Sequence, residues 1–533
     1  MRHKYMQRMV CLAVLLACAG TALAELQNVQ VGGEIRIRGN YIANGLVRTS
    51  QQGIPEIRWP AAFLPGRAIG GPGAAGGFNG LGIVSPVKWS GHHGGNLGFV
   101  EQRTRLNVKA DFTNNVNAFI ELDSYDIWSE DFRSDYVTGA DFAPNTADDV
   151  EIYQSYIEVE NLFDLPLRLR LGRQELSFGS EWLVGPKDSV FFFYGRSFDA
   201  LRLTYTTDSF SVDAFAAELA EGGPFEEDGD VWFYGLYTTC TAVENQTFDL
   251  YWLWLRDARR VADTNLTWFG EWVENVFGLD DYDPTNLHTL GFRAAGLLGA
   301  FDYEVELAYQ FGDAGQVGTT FKPFLYGDDD AKFDAWGAHF DIGYTFDVPW
   351  MPRPFIGAAY FSGEDKRDIS FWNWLNPFDR PRASVSFNRL FSNTIYSGAI
   401  DAFNDLSNCW LARAGVVAHP TESLDLIFAA TYLKILEPFD APAHFTVGHY
   451  RVPIAPMLSF WTEKNSDELG WDTTLFLVYH YSEDLTVRLQ YSRLWVGNGA
   501  AEGSFTFNNG LIFNGGVSDK DSDYFGAELC ITF

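Results

Sequence analysis

Apolar and polar residues alternate with a period of two in many segments of the chain. In residues 165–179, LPLRLRLGRQELSFG, leucines alternate with Arg168 and Arg170. The same alternation occurs in residues 31–41, 101–112, 150–161 and 485–495. This period places successive side chains on opposite faces of a β-strand, whereas an amphipathic helix has a period near 3.6. The pattern therefore predicts an all-β chain of amphipathic strands.

Short and long connections alternate between these strands. Short polar turns are predicted at 113–116, 161–166, 206–209, 242–247, 298–300, 347–354, 419–423 and 482–484. Long segments rich in Gly, Pro, Asp and Trp include 49–98, 129–149, 259–287, 313–331, 364–408 and 434–470. Transmembrane β-barrels have short periplasmic turns and long extracellular loops. Eight hairpins, with a first strand at 31–41 and a last at 523–533, predict a single antiparallel barrel of 18 strands; 16 is the nearest alternative.

Residues 1–24 read as a secretory signal peptide. Arg2, Lys4 and Arg8 precede an apolar run over 9–20, and Ala22-Leu23-Ala24 forms a small-x-small cleavage signal. A lipobox that ends at Cys18 is the alternative interpretation. Residues 25–533 contain no linker or break in composition, so we expect them to form one barrel domain.

Composition supports an outer-membrane location. Aromatic residues make up 16% of the chain, yet the mean hydropathy is only −0.11. No second apolar run is long enough for a membrane helix. Alternating lipid-facing and lumen-facing residues give such an average hydropathy. The chain also ends in an amphipathic strand with a terminal phenylalanine, Phe533, which resembles the assembly signal of outer-membrane barrels.

Arginines are the candidate functional residues, although the formal net charge is −32. Most of those in predicted strands share the parity opposite to the apolar face, and acidic residues crowd the predicted loops at 226–230, 279–283, 327–334 and 518–523. The lumen is therefore expected to be electropositive while the loops carry the negative charge. The predicted pore-lining set is Arg36, Arg38, Arg103, Arg105, Arg168, Arg170, Arg173, Arg202, Arg293, Arg413 and Arg488.

Two roles are open for these arginines. A guanidinium binds a carboxylate through two parallel hydrogen bonds and stays charged, so an arginine ladder suits an acidic polymer. Conduction requires each contact to be weak and replaceable. Alternatively, the arginines pair with Glu101, Glu121, Glu158 and Glu175 and merely fill a polar interior.

Arg173 departs from the parity of its neighbours. A regular strand that directs Arg168 and Arg170 into the lumen turns Arg173 towards lipid, where a charge costs about 2–4 kcal/mol at mid-bilayer. Either the chain bulges at Gly172 or the strand has left the membrane by Arg173. We favour the bulge, because residues 173–179 still read as strand and Leu176 and Phe178 would otherwise face inward.

Residues 172–203 resemble the signature of the alginate-export family of outer-membrane barrels. The matching positions are Gly172 to Leu176, Gly179, Gly185, Asp188, Gly195 to Asp199 and Arg202. Further matches follow in order at 288–296, 301–313, 341–346, 354–368, 419–433 and 484–495. The resemblance covers nearly all of the mature chain. It implies an 18-stranded barrel that passes a uronate polysaccharide through an electropositive lumen.

The resulting functional hypothesis is a passive outer-membrane channel that exports an anionic, alginate-like polysaccharide. The alternative is a porin for small anions or oligosaccharides. An outer-membrane enzyme is a third reading, but nine scattered histidines form no catalytic arrangement. We expect a monomer in outer-membrane lipid, with periplasmic secretion proteins as further partners, no nucleic acid and no cofactor.

Three remaining features have weaker functional interpretations. Cys240, Cys409 and Cys530 lack metal-ligand spacing, and one incidental disulfide stays open. The adjacent histidines of residues 91–95 read as loop, so no metal site is predicted. Tryptophans are expected in the interfacial girdle, with sugar stacking as the alternative: Trp252, Trp254, Trp372, Trp374, Trp461 and Trp495.

Overall fold

The computed structural model describes most of the chain after the predicted signal peptide. The described residues are 25–44, 46–48, 87–89, 96–128, 134–135, 140–141, 150–189, 192–221, 230–258, 284–313, 332–363, 384–398, 406–438, 440–442, 444–447, 450–453, 462–464, 466–502, 506–507, 512–513 and 520–533. The predicted signal peptide, the histidines of 91–95 and most of the predicted acidic loop runs lie outside these residues.

Eighteen long strands form one closed antiparallel sheet. They are β1 (Leu26–Ala43), β2 (Leu97–Phe112), β3 (Val116–Ile127), β4 (Glu151–Val159), β5 (Leu167–Gln174), β6 (Phe198–Thr206), β7 (Phe210–Ala220), β8 (Val231–Cys240), β9 (Gln246–Asp257), β10 (Thr285–Leu298), β11 (Phe301–Asp313), β12 (Lys332–Tyr344), β13 (Arg353–Phe361), β14 (Cys409–Thr421), β15 (Leu424–Ile435), β16 (Glu468–His480), β17 (Leu485–Val496) and β18 (Ser522–Thr532).

Each strand pairs with its neighbours in sequence, and β18 pairs with β1 to close the ring. The prediction of an 18-stranded barrel is therefore confirmed. A two-residue strand, Ser384–Val385, adds a parallel pairing to β12. Other short described strands form separate two-stranded ribbons.

The wall follows the predicted alternation. In β2, Arg103 and Arg105 are buried, whereas Leu106 and Val108 are exposed on the outer face. The eight short turns all lie at one end of the barrel, as predicted, and the longer connections join strand ends at the other. Among the described residues, no helix has the length and apolar character needed to cross a membrane.

Both described ends of the chain lie at the short-turn end. The backbone N–H of Phe533 donates to the carbonyl of Gly33 at 3.0 Å, and Gly33 donates back at 2.8 Å. The last strand is thereby locked onto the first as well as onto β17. These two bonds extend the β1–β18 ladder, which closes the barrel.

The described parts of two long connections fold into the barrel. Residues 175–189 and 192–197, here called the first inserted segment, and residues 386–398, the second inserted segment, meet through a parallel bridge between Val184 and Phe391. Backbone hydrogen bonds support that bridge: Gly185 donates to Phe391 at 3.0 Å, and Asn393 donates to Glu181 at 2.9 Å.

An apolar core fills part of the lumen around these segments. Trp182 and Phe387 are almost fully buried and stack on Phe361 of the wall. Leu176 and Phe178 of the first inserted segment also face inward and are buried. The expectation that residues 173–179 continue as strand is wrong, because β5 ends at Gln174 and the chain turns into the barrel.

The cysteines form no disulfide in the structure. Cys240, Cys409 and Cys530 are all free thiols, and the latter two are buried. They lie on three separate strands, β8, β14 and β18. The incidental disulfide left open above is therefore absent from the structure.

Candidate functional site

Ten of the eleven predicted arginines belong to the lumen face of the wall. Each forms an ion pair with at least one carboxylate of the lumen. The pairs are Arg36 with Glu528, Arg38 with Glu101, Arg103 with Glu34, Arg105 with Asp123, Arg168 and Arg170 with Glu158, Arg202 with Asp213, Arg293 with Asp249, Arg413 with Asp341 and Arg488 with Glu528.

The carboxylate of Asp188 joins the most buried of these arginines. It comes from the first inserted segment and accepts from Arg36 at 3.3 Å and Arg103 at 2.9 Å through Oδ1. Its second oxygen, Oδ2, accepts from Arg105. We call Asp188 and these three arginines the latch. Because one carboxylate is shared by three guanidiniums, the latch ties the inserted segment to β1 and β2.

Phe193 covers the latch from the lumen side. Its ring lies 4.9 Å from the Arg36 guanidinium carbon and 4.6 Å from that of Arg38. Its carbonyl accepts a hydrogen bond from Arg103 at 3.2 Å. The guanidiniums are attracted to the ring face, and the ring displaces water from them. These wall arginines therefore lie beneath the inserted segment and are shielded from the open lumen.

The remaining lumen arginines are more accessible. The side chain of Arg168 is 39% exposed and that of Arg170 is 20% exposed, while both contact Glu158. Arg202 lies opposite Arg170 in the β5–β6 ladder and donates to Asp213 at 2.8 Å. Arginines on several strands thus expose part of the guanidinium while holding a carboxylate.

Aromatic rings lie against several of these cations. Arg170 stacks on Tyr156 at 4.3 Å, and Arg105 stacks on Tyr153 at 3.8 Å. Tyr153 is the extra residue of a β-bulge between β3 and β4, which turns its ring into the lumen. Its hydroxyl donates to Glu175 at 2.5 Å. The bulge thereby fixes the start of the inserted segment beside the latch.

Arg173 is the exception among the predicted residues. The β5–β6 register is continuous through Gly172, so the bulge expected there is absent. Arg173 consequently lies on the outer face, where it binds Asp199 through two hydrogen bonds of 2.8 and 2.9 Å. It is not a lumen residue. Its position one residue before the end of β5 and its acidic partner account for a charge on this face.

Sequence reasoning gave no role to two residues that organise the lumen. Asp188 was visible only as a matching position in the family signature. Arg389 of the second inserted segment is fully buried and donates to the carbonyl of Leu406 at 3.3 Å. A charged residue among apolar and small residues of a long connection was the available signal for Arg389, whereas Asp188 directly follows Lys187 and gave no such signal.

The described tryptophans of the predicted girdle face outward. Trp252 and Trp254 belong to a continuous aromatic stack that also includes Tyr234 and His288. Trp495 is exposed on β17. Their outward position fits the girdle interpretation. Trp372, Trp374 and Trp461 lie outside the described residues.

Several solved structures resemble this one, at low similarity. Pseudomonas aeruginosa OccK8 (OprE) is 11% identical, with 95% of this chain and 98% of that chain covered and a TM-score of 0.46. Pseudomonas aeruginosa OccK11 (OpdR) is 8% identical, with 94% and 96% covered and a TM-score of 0.45. OmpT of Vibrio cholerae is 10% identical, with 96% and 100% covered and a TM-score of 0.35. The fold assignment rests on the strand pairing itself.

No curated protein matches the chain in sequence. The family model described as alginate export, in contrast, matches residues 91–508. That span includes sixteen of the eighteen barrel strands, β2 to β17, together with the latch residue Asp188 and both inserted segments. The chain therefore belongs to the alginate export family and is an outer-membrane β-barrel.

Proposed function

We propose that the barrel exports an anionic polysaccharide of the polyuronate type, with the lumen arginines as its binding groups. The observation that carries this proposal is the set of partly exposed guanidiniums, such as Arg168 and Arg170, that already hold carboxylates. Every uronate residue of a polyuronate carries a carboxylate that an arginine can bind in the same way.

Exchange of partners is the mechanism that these pairs support. The wall carboxylates compensate the arginines, so the lumen is not a bare positive surface. An incoming uronate replaces a wall carboxylate, such as Glu158 at Arg170, and the wall carboxylate returns when the polymer advances. Because one ion pair replaces another, each contact stays weak enough to release. Aromatic rings such as Tyr156 offer a face to the sugar ring at the same step.

The latch controls access in this proposal. Asp188 occupies the carboxylate position of Arg36, Arg103 and Arg105, so a passing polymer competes with it. Release of Asp188 frees the neighbouring residues 187–189 and 192–197 of the first inserted segment, while Leu176 to Val184 stay packed in the apolar core. Export then needs no energy source within the barrel. The polymer is supplied from the periplasmic end, where secretion proteins are the expected partners of a monomeric channel.

Block of ion current by oligouronates tests the proposal. The double variant Arg170→Gln, Arg202→Gln removes two adjacent lumen guanidiniums and should weaken the block at least tenfold. Arg173→Gln is the matched control, since Arg173 lies on the same strand as Arg170 but on the outer face. Equal block in all three proteins would refute the role of the arginines. Conductance of small anions without any oligouronate block would favour the small-anion porin.

A further inference from the structure

Beyond the arginines, the lumen wall contains a compact set of metal-ligating groups. Glu304 and Glu306 on β11 and His339 on β12 place one ligand atom each within 4.8 Å of the others. The His339 Nε2 atom lies 3.5 Å from Glu304 Oε1 and 3.4 Å from Glu306 Oε2. The three side chains belong to paired strands, since Glu306 lies opposite His339 in the ladder.

The spacing of these atoms matches a tetrahedral metal site. Zinc–nitrogen and zinc–oxygen bonds of about 2.0–2.1 Å place neighbouring ligand atoms about 3.3 Å apart. The two distances from His339 Nε2 to the glutamate oxygens are already close to that value. An imidazole with two carboxylates favours Zn²⁺ or a related transition ion over Ca²⁺ and Mg²⁺, which prefer oxygen ligands alone.

Buried charge gives a second and independent reason for a cation. Asp249 lies beside the cluster and shares Arg293 with Glu304, at 2.8 and 3.3 Å. Among the described residues, Arg293 is the one arginine or lysine paired with these three carboxylates. Three neighbouring carboxylates therefore share one permanently charged partner, and Glu306 has no arginine or lysine of its own. Asp249 is 2% exposed and its Oδ1 has no hydrogen-bond partner. Buried charges normally pair or bind metal.

The surroundings hold the ligands in position. Tyr251 is buried, and its hydroxyl donates to the second oxygen of Glu306 at 2.7 Å. Trp182 of the first inserted segment packs over the His339 ring, with centroids 4.8 Å apart. Such outer-shell contacts orient metal ligands and limit solvent access. We propose that Glu304, Glu306 and His339 bind one divalent transition-metal ion of the Zn²⁺ type at the lumen wall, beneath Trp182.

Zinc binding by the folded barrel tests this site. Protein without a polyhistidine tag is stripped with EDTA, checked for folding by heat modifiability, and titrated with Zn²⁺ by calorimetry. We expect one Zn²⁺ per chain, which His339→Gln and Glu306→Gln abolish. His288→Gln is the matched control, because His288 lies in the outer aromatic stack, and it should bind like the parent. Tyr251→Phe should weaken binding about 10–100-fold.

Cobalt provides a readout that does not depend on a variant folding. Co²⁺ bound to the parent protein should give the visible absorption of a tetrahedral ion, and Zn²⁺ should displace it. Absence of stoichiometric Zn²⁺ binding by the parent would overturn the proposal. Binding that persists in both His339→Gln and Glu306→Gln would also overturn it, since the ion would then be held elsewhere, as by the free thiols.

Discussion

At the residue scale, the face of the strand determines whether a charged side chain points into the lumen or out of the barrel. Parity placed Arg168 and Arg170 in the lumen correctly, because a regular strand needs only its period for that assignment. The same rule placed Arg173 outside, and the bulge introduced to bring it inward was wrong. Arg173 instead forms an ion pair with Asp199, its neighbour across the β5–β6 ladder. Sequence periodicity therefore predicted the strand face of each arginine, but it could not predict which carboxylate each arginine pairs with.

Asp188→Asn should open the latch. The variant removes the carboxylate charge shared by Arg36, Arg103 and Arg105, and charge-assisted hydrogen bonds are worth about 1.5–3 kcal/mol each. A loss of even about 1–2 kcal/mol changes the ratio of closed to open channels by about 5–30-fold. Single-channel recordings should therefore show more frequent opening and stronger anion selectivity.

A carboxylate outside the lumen supplies the control for that recording. Asp199→Asn removes a charge of the same kind from the outer face, where the carboxylate pairs with Arg173. The opening frequency of the Asp199→Asn channel should equal that of the parent. If Asp188→Asn also conducts like the parent, the latch does not hold the channel closed.

At the element scale, the two inserted segments differ from anything that the strand pattern predicted. The alternation and the turn lengths identified all eighteen strands and the end at which they are joined by short turns. They contained no information on whether a long connection extends outward or folds inward. The inward direction is determined by burial of Leu176, Trp182 and Phe387 against the wall and against each other. Such contacts join residues far apart in sequence.

Trp182→Ala should loosen the first inserted segment while leaving the barrel intact. Truncation of a buried tryptophan costs about 3–5 kcal/mol, and here it removes the stack on Phe361 and Phe387. The wall hydrogen bonds are unaffected. Limited trypsin digestion should therefore cleave at Lys187 or Arg196 in the variant and spare the parent.

The outer aromatic stack provides the comparison for this digestion. Trp252→Ala removes a tryptophan of the same size from the lipid-facing side of the wall. It should leave the inserted segment protected from trypsin. Equal protection in the parent and in Trp182→Ala would mean that the apolar core does not anchor the segment.

At the scale of the whole molecule, net charge is a poor guide to the lumen. The chain carries a formal charge of −32, yet its wall arginines are each matched by lumen carboxylates. The sequence predicted the barrel and its strand number, and ten of the eleven arginines lie on the face of the wall that their parity indicated. Pairing of the arginines with wall carboxylates was one of its two interpretations. The carboxylate that Asp188 shares among three arginines was not predicted, because it depends on contacts of β1 and β2 with a segment 83 to 152 residues further along the chain.

Block of current through single channels in planar bilayers tests the central claim most directly. Oligoguluronate or oligomannuronate added to one side should interrupt the current in discrete events, with a frequency that rises with concentration. Neutral oligosaccharides of the same length should cause far fewer events, because they carry no carboxylate for the lumen arginines. Equal block by neutral and acidic oligosaccharides, or no block by either, would contradict a polyuronate channel.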